Sequence, residues 1–407
     1  MGTELLKGAG HQPQGCESGT PLTLVNLAFG AFSDQRKRNQ AIFEHLLSSG
    51  TLFARGLFVN PPWICDRSVS PGQRLRLVAT SPRLEALSST LTVATPIYPL
   101  PFSWRGPIAA IQTLLHARRL RAVLGGSPYL LWVNGPDYHS CLLTRALSPL
   151  AVKVVLDLSD DFTAFERGKT AGLEARVRNL VRSCDAMVAV NHHVAAKFPH
   201  RRGMVFENAT DFDNFQQVDP ELVLAGLLPK AAHQKYVGFT GGLYEGRVDE
   251  ELVRQLLTAL PEVLFVFVGA TNESPVARRI AALPNARVVP AVPYAKLPTV
   301  IRSFDVAIVP HLDNELSRGN DLLKVRDYLA CGVPVVSTPS SNVERFAPAV
   351  KIARNAAEFV EHLRALLWGG AAHDPSVGFD IARRESWSRT VPRLIRWLEE
   401  EVLPHEH

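Results

Sequence analysis

The chain has 407 residues, 46% of them hydrophobic and 20% charged. That is too long for one ordinary core, and the composition excludes extensive disorder away from the ends. The formal net charge of +5, read as spread thinly, does not argue for nucleic acid; phosphate-bearing ligands or an anionic membrane surface fit it equally well.

Residues 1–20 are polar and Gly-rich without an apolar signal region, and read as a disordered tail. Leu6 fails the small-hydroxyl position of a myristoylation motif. No run reaches the ~18 apolar residues that a membrane span needs, so a soluble protein is expected. Five cysteines, Cys16, Cys65, Cys141, Cys184 and Cys331, show no CxxC or Cys/His spacing. They suggest neither a disulfide framework nor structural zinc, and point to a reducing, cytoplasmic setting.

Strand-like runs follow at Thr23–Phe29, Leu52–Val59, Leu91–Ile97, Tyr129–Val133, Val152–Leu158 and Ala186–Val190. Helical spacing lies between them at Gln35–Leu47, Pro107–Val123, Ser140–Leu147 and Phe165–Arg182. The pattern lapses near Glu207–Leu228, then restarts with strands at Tyr236–Thr240, Val263–Val268, Ala286–Val289, Val306–Val309 and Val333–Thr338. Helices are expected at Glu250–Ala259, Ser274–Leu283, Leu297–Ser303, Leu323–Ala330 and Ala356–Trp368. Uninterrupted apolar strands alternating with helices predict parallel sheets covered on both faces, hence two doubly wound α/β halves facing across a cleft.

The strongest local signal is Gly238-Phe-Thr-Gly-Gly-Leu243 after the first strand of the second half. Adjacent glycines between strand and helix let backbone N–H groups approach an anion; a tight turn alone explains them too. The second signal is Leu316–Gly332, where Lys324 and Asp327 share one face of a helix expected to start near Asp321. A cation and a carboxylate there suit a nucleotide diphosphate and its ribose, although a solvated ion pair has the same spacing. Gly332 ends that helix.

Val237–Gly242, Val292–Pro298, Phe304–Pro310 and Leu316–Pro339, in this order and spacing, resemble bacterial glycosyltransferases of the GT-B class, GT4-like. Weaker likeness extends to Arg38-Asn39-Gln40 and to Asn208–Phe215, which resembles the family's linker phrase. The resemblance implies a GT-B architecture of two Rossmann-like domains: residues 21–207 for the acceptor, a linker over 208–234, and residues 235–380 for a nucleotide-sugar. A final helix within 381–407, Glu385–Val402, would cross back to the first domain. It further implies that Gly241, Gly242, Arg247, Arg318 and Lys324 lie against the donor diphosphate. Asp327 would hold the ribose hydroxyls, Val292 and Tyr294 would border the base, and no cofactor or metal would be required. The chain departs from the family with Asp321-Leu-Leu-Lys324 for the usual Asn-Pro-Leu-Lys, and Asp327 for Glu. Gly319 falls where the first Glu of a Glu-x7-Glu pair belongs, leaving Asn320 or Glu315 for sugar contacts.

In the first half, Asp157-Leu-Ser-Asp-Asp161 ends a strand, where a cleft-facing acid belongs. A transfer that inverts configuration needs a general base for the acceptor hydroxyl, and by resemblance Asp160 is that base, with Asp161 second. Helix capping is the competing explanation. His139, after another strand, is a further cleft candidate. Asp211-x-Asp213 lies in the linker phrase and reads as turn chemistry rather than a metal-binding DxD. The expected function is transfer of a sugar from a UDP- or GDP-sugar, uridine favoured, to a glycan, glycolipid or lipid-linked acceptor at the inner face of a membrane. An epimerase on the same fold and a non-catalytic sugar-nucleotide-binding protein are the alternatives. A lipid-borne acceptor would also account for Trp104-Arg105 and the Arg118–Arg121 cluster.

Overall fold

The computed structural model describes residues 21–65, 68–98, 106–164, 170–217, 234–269, 274–369 and 373–403. The tail with Cys16, Trp104-Arg105, the expected helix start at Phe165 and most of the linker lie outside them. In the first half the strands are β1 (Leu22–Leu27), β2 (Phe53–Val59), β3 (Trp63–Ile64), β4 (Arg83–Ala86) and β5 (Leu91–Thr95). They continue with β6 (Ile97–Tyr98), β7 (Tyr129–Val133), β8 (Lys153–Leu158), β9 (Ala186–Ala189) and β10 (Gly203–Val205). Eight of them form one sheet in the order β10-β9-β8-β7-β1-β2-β5-β4, with β3 and β6 as a separate pair. The sheet is parallel except for β4 on β5. β4 had no counterpart in the sequence reading because it is exposed along its length and carries no apolar run.

The second sheet holds β11 (Lys235–Thr240), β12 (Val263–Val268), β13 (Ala286–Val289), β14 (Val306–Val309), β15 (Val335–Ser337) and β16 (Val350–Ile352). Its order is β13-β12-β11-β14-β15-β16, all parallel. The strand order reverses between β1 and β7 in one sheet and between β11 and β14 in the other. In doubly wound sheets the crevice at such a reversal is where ligands bind. This is the GT-B arrangement.

Burial on both faces explains the near-continuous Val/Leu/Ile strands. Val25 and Leu27 of β1 enter one core and Leu22 and Leu24 the other. Helix Trp387–Trp397 sends Trp387, Val391 and Leu394 into the first half's core beside Ile42 and Phe43. Around Thr210 the chain crosses between halves next to its later return. The Thr210 N–H donates to the Glu385 carbonyl at 3.0 Å, and the Trp387 N–H to the Thr210 carbonyl at 2.9 Å. No helix among the described residues is long and apolar enough to cross a membrane.

Candidate active site

β8 delivers three acids to the crevice of the first sheet, and their environments differ. Asp157 is fully buried and held on both oxygens, by Arg38 Nη2 at 3.1 Å and Asn134 Nδ2 at 3.2 Å. Arg38 also donates to the Phe206 carbonyl and to Asn208 Oδ1, so this arginine anchors the strand end. Asp161 is likewise engaged: Oδ2 accepts from Lys197 Nζ at 2.6 Å, and Oδ1 from the Thr163 N–H at 3.0 Å and hydroxyl at 2.6 Å. It caps the short turn Phe162–Ala164. Asp160 lies between them with a buried Oδ1 that has no hydrogen-bond partner. Burial pushes its carboxyl up to about 6, with Arg247 and Arg38 pulling down and Asp161 and Asp321 pushing up.

Across the cleft, β11 runs into the Gly241–Gly242 turn. Gly241 has φ +119°, a backbone conformation that calls for glycine, and a Cβ there would lie 3.0 Å from Lys324 Nζ. Lys324, on helix Leu323–Ala330, stands 4.0 Å from the centre of the Phe239 ring and 3.5 Å from His311 Nε2. Burial, then Arg247, lowers its ammonium to about 7, against the pull of Asp327. His311 follows β14 and is buried; burial, Lys324 and Arg247 hold it well below the usual imidazole range, hence neutral at pH 7. Arg247 acts on Asp160 from one half and on Lys324 and His311 from the other. The unpartnered acid and the basic turn therefore share one environment, suited to a departing anion opposite a proton acceptor.

Asp327 is buried, and its Oδ1 accepts from the Thr210 hydroxyl at 2.6 Å. Burial raises it to about 7 despite Thr210, Arg326 and Lys324. Helix Leu323–Ala330 has the bounds the sequence suggests, and its N-cap is Leu322 rather than Asp321. Asp321 instead pairs with the fully buried Arg326 at 3.0 Å and accepts from the Asn208 N–H at 2.6 Å.

The other expected residues have these surroundings. His139 sits in a buried cluster: Nδ1 meets Tyr98 Oη at 2.6 Å, the ring packs on His116, and burial drives it down to about 3. Arg318 is exposed and paired with Asp313 at 3.2 Å. The backbone groups of Val292 and Tyr294 turn toward the first half: the Tyr294 N–H donates to the Asp34 carbonyl at 2.8 Å, and Gln35 Nε2 to the Val292 carbonyl at 3.2 Å. Asn320 uses its carbonyl for Asn191 and its Oδ1 for the Asp321 N–H. Gly242 sits in the turn, where a Cβ would strike the Tyr244 ring at 2.2 Å. Asp211 pairs with Arg36 and precedes helix Phe212–Gln216 without a side-chain cap bond to it.

Two residues were missed. His311 follows a strand end at the reversal of strand order, which was the available signal; Arg326 had none, since its partners Asp321 and Glu385 are set by tertiary packing. The missing family Glu has a steric cause. The Asp161 N–H donates to the Gly319 carbonyl at 3.2 Å, and a Cβ on Gly319 would come within 2.4 Å of Asp161 Cβ. The halves touch there too closely for a side chain.

Residues 234–368, about a third of the chain, match the family model described as glycosyl transferases group 1. Solved structures of similar fold include an E. coli structure described as trehalose-6-phosphate bound with UDP-2-fluoro glucose (TM-score 0.67, 12% identity, 93% of this chain and 99% of that one). A UDP-forming α,α-trehalose-phosphate synthase from Burkholderia xenovorans, in complex with glucose-6-phosphate, gives a TM-score of 0.66 at 12% identity, over 93% of this chain and 100% of that one. A sucrose-phosphate synthase from Thermosynechococcus elongatus gives a TM-score of 0.66 at 12% identity, over 93% and 98%. A search of curated protein sequences finds no significant match. The chain has the fold of these GT-B structures. The segment that matches the group 1 glycosyl transferase model is the half that holds the Gly241 turn, Lys324 and Asp327.

Proposed function

We propose that the chain is a hexosyltransferase that binds a nucleotide-sugar, UDP-linked in preference to GDP-linked, with residues 235–380. The Gly241 turn, Arg247 and Lys324 face the diphosphate and Asp327 the ribose. Residues 21–207 present Asp160 to an acceptor hydroxyl on a glycan, glycolipid or lipid-linked sugar. In the transfer the hydroxyl proton goes to Asp160, and the acceptor oxygen bonds to the anomeric carbon. The bond to the diphosphate breaks with its electron pair on the leaving group, whose charge falls on Lys324, Arg247 and the turn N–H groups. This assigns departure of the diphosphate to protein groups without a metal.

The observation carrying the reading is the unpartnered Oδ1 of Asp160, raised to about 6 and under the influence of the same Arg247 that acts on Lys324. Gly319 in place of a sugar-side Glu, with Asp160 as base, favours inversion. Uridine is supported by the UDP-forming synthase and the UDP-2-fluoro glucose complex among the similar folds. Those folds also make a sugar phosphate the acceptor to test beside lipid-linked sugars.

A thermal-shift titration with UDP, GDP, ADP and their sugar conjugates tests the donor. A true ligand adds about 2.7 kcal/mol at hundredfold excess over its dissociation constant. NMR of the product's anomeric proton then reads the stereochemistry. Absence of any shift at millimolar nucleotide would overturn the reading. Free sugar isomers released without an acceptor would make the chain an epimerase.

A further inference from the structure

Helix Gly106–Leu124 packs Ala117, Leu120 and Leu124 into the core in the ordinary way, but over its earlier turns the polarity is inverted. Gln112, Thr113 and His116 are buried, whereas Ile108, Ile111, Leu114 and Leu115 are 53%, 60%, 61% and 47% exposed. Hydrogen bonds lock this rotation: Thr113 Oγ1 meets Tyr98 Oη at 2.7 Å, and His116 Nε2 meets Ser81 Oγ at 2.7 Å. The helix cannot roll its leucines inward without stranding those groups. Water does not select for such a face, and a contiguous apolar stripe on a soluble chain marks a surface that docks on something.

The charge of the sequence segment that contains the helix points to the partner. Contrary to the expectation of thinly spread charge, residues 61–125 carry eight arginines, no lysine and only two acids, Asp66 and Glu85. That excess exceeds the whole chain's +5 and leaves the remainder close to neutral. Arg118 and Arg121 are exposed in the last two turns of the same helix.

We propose that the exposed face of helix Gly106–Leu124 docks on an anionic lipid bilayer. Ile108, Ile111, Leu114 and Leu115 enter the headgroup–acyl boundary, and Arg118 and Arg121 lie among the lipid phosphates. A second copy of the chain would set arginines against arginines, and nucleic acid has no use for the aliphatic stripe. The proposal deepens the lipid-linked acceptor of the proposed function and rests on that reading for its purpose, while its test is independent of catalysis.

The test is vesicle flotation of the full chain with neutral phosphatidylcholine and with phosphatidylcholine containing phosphatidylglycerol, at low and high salt. Wild type floats with the anionic vesicles and not with the neutral ones, and high salt weakens the binding. Replacing each of Arg118 and Arg121 by Glu weakens it by roughly fivefold or more per site. The double variant I111D/L114D, altered only at exposed positions, stays with the soluble fraction while keeping its melting temperature and its nucleotide thermal shift. Wild type that ignores both vesicle types overturns the proposal, as does I111D/L114D floating like wild type. So does a wild-type dimer that I111D/L114D dissociates, with no flotation by either. Because the nucleotide shift is measured on the same samples, loss of docking is read separately from failure of the donor assignment.

Discussion

Replacing Asp160 by Asn preserves shape and removes one charge, and the environment of the residue fixes what should follow. A positioned general base contributes about 10²- to 10⁴-fold in rate, about 3–5 kcal/mol of barrier at 1.36 kcal/mol per decade. The same substitution has a stability signature of opposite sign. The unfolded chain ionises Asp160 near its ordinary 3.8 and the folded protein only near about 6, so between those values the folded state holds more protons. Stability from this group is full below 3.8 and falls as pH rises through about 6, a loss of at most about 3 kcal/mol at 1.36 kcal/mol per pH unit. Asp160→Asn should therefore lose at least a hundredfold in nucleotide release with acceptor present, keep the donor thermal shift, and melt at the same or a higher temperature than wild type at pH 7.5. At pH 4 that advantage should vanish. A variant that turns over within tenfold of wild type would refute the base assignment. One that melts lower at pH 7.5 would show that Asp160 is a structural acid like Asp161.

Lys324, lowered to about 7 in the free protein, loses its charge as pH rises through that value; a bound diphosphate should restore it. Titration calorimetry near pH 8 should then show donor heats that vary with buffer ionisation enthalpy, and Lys324→Met should remove both this dependence and most of the affinity; buffer-independent heats would refute it. Gly319→Glu, which restores the family residue, should place atoms against Asp161 Cβ and cost about 1–3 kcal/mol or open the halves; an unchanged melting temperature and radius of gyration would contradict the contact. His116 and His139 are held down to about 4 and about 3 by burial, so their contribution is full above the ordinary 6.5 and is lost as pH falls below it. Melting temperature should decline below about pH 6.5, less steeply in His139→Gln, whose turnover at pH 7.5 should stay near wild type; a collapse of turnover there would make His139 part of the active site.

The strands that the sequence announced were those buried on both faces, such as Val263–Val268 and Val306–Val309, because a parallel strand needs no polar alternation. Hidden elements were those whose stability comes from elsewhere. β4 is exposed along its length. Helix Pro71–Thr80 carries polar residues within its apolar spacing, and β10 is three residues held by one neighbour. In the site, Asp160 and Gly241 were legible because each follows a strand into a crevice. What distinguishes Asp160 from Asp161 was not: the two are adjacent in sequence, and only the side on which Lys197 and Thr163 stand decides which oxygen is spent. Arg318 is similar: nothing local announces its pairing with Asp313.

The chain passes between its halves twice, and both crossings meet at Thr210, beside Glu385 and Trp387. Away from this stitch the halves are also tied by the Asp161 N–H to the Gly319 carbonyl and by the Tyr294 N–H to the Asp34 carbonyl, so any opening of the cleft has to break those bonds while the stitch can persist. Thr210 also donates to Asp327, the carboxylate assigned to the ribose. On the proposed reading, a ribose hydroxyl arriving there would compete for the bond that ties this crossing to helix Leu323–Ala330, so donor binding and the joint between the halves would draw on the same carboxylate.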